Sequence, residues 1–190
     1  MDPISSAPAG AAETALLDLI PMGYLDPLAV SIVAANIQAV AGLPTRILPS
    51  RPKPDQAYLP ARRQYNAAMI LKQLSAEPDG APLKLALLQH DLCLPILTYV
   101  YGESQLGGKA AVLSLFRLDD SDRQLIYERA AKIGLHEIGH VFGLEHCWET
   151  DCLMRFSKQL DQLDRLPLHF CSACEYEIAR RLKWILNSVQ

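Results

Sequence analysis

Residues 136–146 read His136-Glu137-Ile138-Gly139-His140-Val141-Phe142-Gly143-Leu144-Glu145-His146. His136 and His140 are four apart, so on a helix both imidazoles leave the same face one turn apart and can share one zinc. Glu137 lies one step round the helix. It is poorly placed to be a third ligand, yet within reach of a metal-bound water, which is the position of a general base. Gly143 stands where the helix must stop, because glycine enters the left-handed conformation without steric penalty. The turn there would return His146 to the same metal. Three neutral histidines leave a fourth position on zinc for water, the open coordination of a catalytic site. The alternative is three surface histidines and a capping glycine.

Four of the five cysteines, Cys147, Cys152, Cys171 and Cys174, follow with the spacing C-x₄-C-x₁₈-C-x₂-C. Four thiolates close the tetrahedron of a zinc ion and leave no water, so this second site would be structural. Two disulfides or four buried thiols are the other possibilities, and a reducing compartment disfavours the first. Because His146 and Cys147 are adjacent, the two sites would be coupled. Cys93, between Leu92 and Leu94, reads as a buried thiol or, alternatively, as a metal-blocking cysteine.

The long motif H-E-x-x-H-x-x-G-x-x-H with a methionine after it resembles the metzincin metallopeptidases. Cys147 directly after the third histidine, then Cys152-Leu153-Met154 and Phe170-Cys171-Ser172-Ala173-Cys174, narrow the likeness to the archaemetzincins, a group found in archaea and animals. The resemblance covers residues 136–174, and Tyr99–Leu118 is similar to the family's strand region. It implies an α/β (α+β) fold with a twisted, mostly parallel sheet and helices. The active-site helix would form the cleft floor. Residues 1–143 would make an upper lobe, and residues 144–190 a small zinc-stapled lower lobe of one metallopeptidase domain. Met154 would match the methionine beneath the three histidines, though an ordinary core methionine is the plainer reading. By the same resemblance Tyr99–Gln105 could be a sheet edge that takes an extended peptide as an added strand; a buried strand with a hairpin turn is the alternative.

The elements that must position these residues are legible in part. Leu28–Val40 is apolar at helical spacing, with Asp26-Pro27 before it and Gly42 after it. Thr45–Leu48 suggests a first strand, and four prolines mark Pro49–Pro60 as a loop. Arg62–Leu74 reads as a helix ending at Glu77-Pro78-Asp79-Gly80. Leu83–Leu88, Leu97–Glu103 and Ala110–Leu118 read as strands, with a turn at Gly107-Gly108. Asp122–Phe142 reads as one long helix and Cys171–Asn187 as a closing one. Residues 1–12 read as a loose tip. His90, His169, Glu145 and the pair Arg180-Arg181 are expected at the surface.

Composition bounds the rest. The chain has 190 residues, 50% hydrophobic and 21% charged, with a formal net charge of −3. This is globular composition for one domain, without the basic footprint of a nucleic-acid binder. No apolar stretch is long enough to span a membrane, and an acidic start without a signal peptide points to the cytoplasm. The expectation is a zinc-dependent metallopeptidase, with two zinc ions per chain and a peptide or protein substrate. It would act as a monomer, away from nucleic acid and membrane. A zinc-binding peptide-recognition protein with little hydrolysis is the rival reading.

Overall fold

A computed structural model describes residues 15–189. The loose tip expected over residues 1–12 lies outside them. The first element is a strand the sequence reading missed, β1 (Leu17–Met22), all six residues of which are buried. Asp18 hides it, since a carboxylate in an apolar run argues against a central strand. Here Asp18 is fully buried. It accepts from Arg46 Nε at 2.9 Å and from the Ala81 backbone N at 2.8 Å, which compensates the lost hydration.

Four more strands join it: β2 (Thr45–Ile47), β5 (Leu83–Leu88), β8 (Gly102–Ser104) and β9 (Ala110–Ser114). The order is β2-β1-β5-β9-β8, parallel throughout except for β8, which runs antiparallel to β9 at the edge. The sheet is covered on both faces, which is why β1, β5 and β9 are uniformly buried. Alternate residues go to opposite layers. Leu85, Leu87, Ala111 and Leu113 pack with helices α1 (Pro27–Ala41) and α3 (Arg123–Val141). Ala86, Leu88, Ala110 and Val112 pack with α2 (Ala67–Ala76). Helix α1 starts where expected, with Asp26 accepting from Leu28 N, and ends at left-handed Gly42.

A second sheet, β3-β4-β6-β7, lies between β2 and β8 in the chain and changes two expectations. Its strands are β3 (Tyr58–Leu59), β4 (Gln64–Asn66), β6 (Leu92–Leu94) and β7 (Leu97–Val100). The helix expected from Arg62 begins only at Ala67, capped by Asn66. Long-range bonds outcompete local helix preference before it. Arg62 donates to the carbonyls of Leu94, Leu97 and Thr98, and Gln64 to the Asp91 carboxylate. The strand expected over 97–103 is two strands, β7 in the small sheet and β8 in the large one. Likewise the run 110–118 leaves the sheet at Ser114, whose hydroxyl donates to the His90 carbonyl and accepts from Phe116 N.

Helix α3 crosses the molecule as expected, with Asp122 as its N-cap. Two cations on its buried side hold a short helix absent from the sequence reading, α4 (Leu160–Asp164). Arg129 grips Asp164 through Nε and Nη2, each at 2.8 Å, and Lys132 donates to the Leu163 and Asp164 carbonyls. The closing helix α5 (Ser172–Val189) adds Cys174, Ile178 and Ile185 to the core layer of α1 and α3. Among the described residues no helix is long and apolar enough to cross a membrane. Replacing Arg129 by Met strands Asp164 and removes the donor to the Leu118 carbonyl. The expected loss is about 3 kcal/mol, read as a lower urea midpoint; a change under about 0.5 kcal/mol would show that this ion pair does not hold α4.

Candidate active site and metal centres

Helix α3 presents His136 and His140 on one face, and their Nε2 atoms stand 3.1 Å apart. Gly143 takes φ +89° and turns the chain back beside the helix. Its N–H and that of Gly107 both donate to the His140 carbonyl, which closes the helix end. His146 then comes to 4.9 Å from His140 and 5.3 Å from His136, ring centre to ring centre. One ligand atom from each of the three lies within 4.8 Å of the others.

The far side of two rings is fixed. His136 Nδ1 lies 3.0 Å from the Leu153 carbonyl and His140 Nδ1 2.7 Å from the Leu144 carbonyl. A carbonyl only accepts, so each Nδ1 carries the proton and each Nε2 keeps its lone pair turned inward. Burial keeps the rings neutral: it pushes His136 to about 4, aided by neighbouring His140, and lowers His140 and His146 as well. Three neutral nitrogens converging from two walls, with His146 exposed to solvent, form a donor set suited to zinc with a side left open.

Glu137 is buried next to this group but is not part of it. In the absence of a cation, burial pushes its carboxyl up to about 8; the Ser104 hydroxyl, donating to Oε2 at 2.6 Å, opposes that shift. Ser104 belongs to β8, so the Tyr99–Gln105 segment supplies a sheet edge rather than a buried strand. Sequence reasoning did not single out Ser104. The local signal that could have pointed to this contact is Gly102, since a glycine inside a strand marks close approach. A Cβ at Gly102 would sit 2.7 Å from Glu137 Oε1.

Met154 is fully buried against Gly139 of α3, where a Cβ would overlap the sulfur and come to 3.0 Å from Cε. Gly139 thus makes room between the two helical histidines, a role that the motif spacing alone does not reveal. Phe156 packs against His146 with ring centres 4.8 Å apart and the planes tilted by 52°.

Cys147, Cys152, Cys171 and Cys174 form the second group, their sulfurs all within 4.8 Å of one another and none in a disulfide. The first turn of α5 supplies Cys174, and the residue preceding that helix is Cys171. The Cys174 N–H lowers the Cys171 thiol, whereas burial raises Cys152 and Cys174. Four sulfurs at this spacing fit a dication that would hold them as thiolates.

The two groups share one strip of chain. Cys152 points to the sulfurs, Leu153 carries the carbonyl on His136, and Met154 packs on Gly139. Backbone bonds lock the strip, with Cys147 N donating to the Met154 carbonyl and Leu153 N to the His169 carbonyl, both at 2.9 Å.

Cys93 is buried in β6, in neither group, and burial raises its thiol. His169 and Glu145 are exposed as expected, but His90 is half-buried, with its ring 5.5 Å from that of Tyr65. Arg180 pairs with Glu177 on the helix surface. Arg181 is more than a solvated charge, since its Nη2 donates to the Gly107 carbonyl at 3.2 Å and ties α5 to the turn between β8 and β9.

This fold and histidine group are those of a zinc metallopeptidase, and comparison with known proteins identifies which kind. The sequence pattern of Peptidase family M54 matches residues 55–180. The chain is 37% identical to the archaemetzincin of Archaeoglobus fulgidus over 162 residues, covering 82% of this chain and 97% of that protein. It is 39% identical to that of Methanopyrus kandleri over 130 residues, covering 68% and 74%. The crystal structure of the Methanopyrus kandleri archaemetzincin superposes with a TM-score of 0.80 at 34% identity, covering 90% of this chain and 96% of that one. The chain belongs to the archaemetzincin family of zinc metallopeptidases.

Two substitutions probe the shared strip. Gly139→Ala is expected to displace Met154 and cost about 1–3 kcal/mol in chemical denaturation, even though alanine favours a helix by about 1 kcal/mol. Cys171→Ser is expected to lower both the thermal midpoint and the zinc affinity of the histidine group, measured by calorimetry and chelator competition. Unchanged values for both quantities would mean that the groups are independent.

Proposed function

We propose that this metallopeptidase hydrolyses peptide bonds with Glu137 as general base, His136, His140 and His146 as ligands of a catalytic zinc, and Cys147, Cys152, Cys171 and Cys174 as ligands of a structural one. The observation that carries the reading is a single carboxylate, buried beside three converging imidazoles and held by the edge strand. His136, His140 and His146 would hold a zinc ion, which when bound would supply Lewis acidity to lower the pKa of a water and polarise the scissile carbonyl.

The residues of the chain do the rest. Glu137 takes the proton of the attacking water and passes it to the leaving amine nitrogen, so one carboxylate serves first as base and then as acid. The Leu153 and Leu144 carbonyls hold the two imidazoles at fixed tilt while this happens. The outer edge of β8, next to Glu137, accepts an extended peptide as a further strand, and the main-chain bonds orient the scissile group.

In this reading one domain has an upper lobe of residues 1–143 and a lower lobe of 144–190, stapled by the second zinc with Gly143 at the junction. The protein acts as a monomer in the cytoplasm, where thiols remain reduced and available to metal. Membership of a peptidase family favours hydrolysis over the binding-only alternative.

Glu137→Ala is expected to keep its zinc and lose hydrolysis of a peptide library; undiminished turnover would remove Glu137 from its role. Metal analysis of purified protein should give about two zincs per chain, falling to about one in His140→Ala. A wild-type value near one would dismiss the second site.

A further inference from the structure

The carboxylate assigned as base is gripped from outside its own helix. Ser104 Oγ donates to Glu137 Oε2 at 2.6 Å, the only hydrogen bond that this side chain makes among the described residues. Gly102 lies two positions earlier on β8, and residues two apart on a strand face the same side. A Cβ at Gly102 would stand 2.7, 2.8 and 2.9 Å from Oε1, Cγ and Cδ of Glu137. The glycine therefore lets the strand backbone form a wall along the whole side chain, and the serine pins its far oxygen.

A glutamate has three side-chain torsions and can leave a reactive pose by any of them. The strand backbone, so close to Cγ and Cδ that no Cβ fits between at Gly102, restrains the inner torsions, and the bond to Oε2 fixes the last. Oε1 is then the oxygen left to accept a proton. We infer that Ser104 is a positioning residue, whose hydroxyl holds the Glu137 carboxylate so that Oε1 does the proton transfer, with Gly102 providing the close approach this requires. The inference rests on the reading of Glu137 as general base.

The test compares Ser104→Ala, Ser104→Thr, Glu137→Gln and the Ser104→Ala/Glu137→Gln double variant. Each is assayed on one internally quenched peptide selected with the wild-type protein, alongside zinc content and thermal midpoint. Ser104→Ala is expected to lower kcat about 10–100-fold, the range for a hydrogen bond to a charged group, with KM nearly unchanged and zinc retained. Ser104→Thr, which keeps the hydroxyl, should restore most of kcat. The double variant should be no slower than Glu137→Gln alone, because the serine acts only through that carboxylate.

Wild-type kcat in Ser104→Ala beside an inactive Glu137→Gln would overturn the positioning role and leave the base assignment standing. A rise in KM with kcat unchanged, or a double variant slower by the product of the two single effects, would also overturn it. Turnover retained by Glu137→Gln would overturn the base assignment itself, and the role of Ser104 with it.

Discussion

Two hydrogen bonds decide what the histidines of this protein can do. His136 and His140 give their Nδ1 protons to the carbonyls of Leu153 and Leu144, and both carbonyls belong to chain that follows the helix. Each bond fixes a tautomer and a ring tilt, and together they leave the lone pairs on two Nε2 atoms that stand 3.1 Å apart. Without the returning chain, the same helix would carry two rings with free torsions and no preference for which nitrogen is protonated.

That dependence explains why the chain beyond Gly143 is built as it is. Residues 152–154 bring a thiol to the sulfur group, a carbonyl to His136 and a thioether to Gly139 within three successive positions. All three residues are fully buried, in the main core that also holds Leu144, Leu163 and Phe170. The backbone bonds from Cys147 and Leu153, the sulfur group and the docking of α4 on Arg129 and Lys132 add direction to that packing and fix the register of the strip against α3. Metal bound to the sulfurs would add directly to the folding free energy of this part.

The opposite wall of the site comes from the sheet. Glu137 meets β8, an edge strand formed where the chain passes from the small sheet to the large one. The edge placement leaves one side of β8 without a partner strand among those described. It also explains why a polar Gly-Glu-Ser segment is tolerated next to a buried strand such as β9. Arg181 ties the turn after β8 to α5, so the helix rooted at Cys171 and Cys174 also braces the wall that holds Glu137.

The spacing of His136, Glu137, His140, Gly143 and His146 and that of the four cysteines were legible in sequence, because ligand spacing on a helix and around a glycine turn is a local property. So were α1 and α3, whose caps and apolar stripes lie within a few residues of each other, and α5 by its apolar stripe alone. Strand β1 was concealed by Asp18, whose partners Arg46 and Ala81 stand 28 and 63 residues away. The start of α2 and the split of 97–103 were set by bonds from Arg62 and Gln64 across the small sheet. Ser104, Gly102 and Gly139 gain their meaning only from what they touch, Glu137 in two cases and Met154 in the third. Local residue patterns thus determine which groups are available for chemistry, whereas their orientation comes from hydrogen bonds and contacts between segments far apart in the chain, which no local pattern encodes.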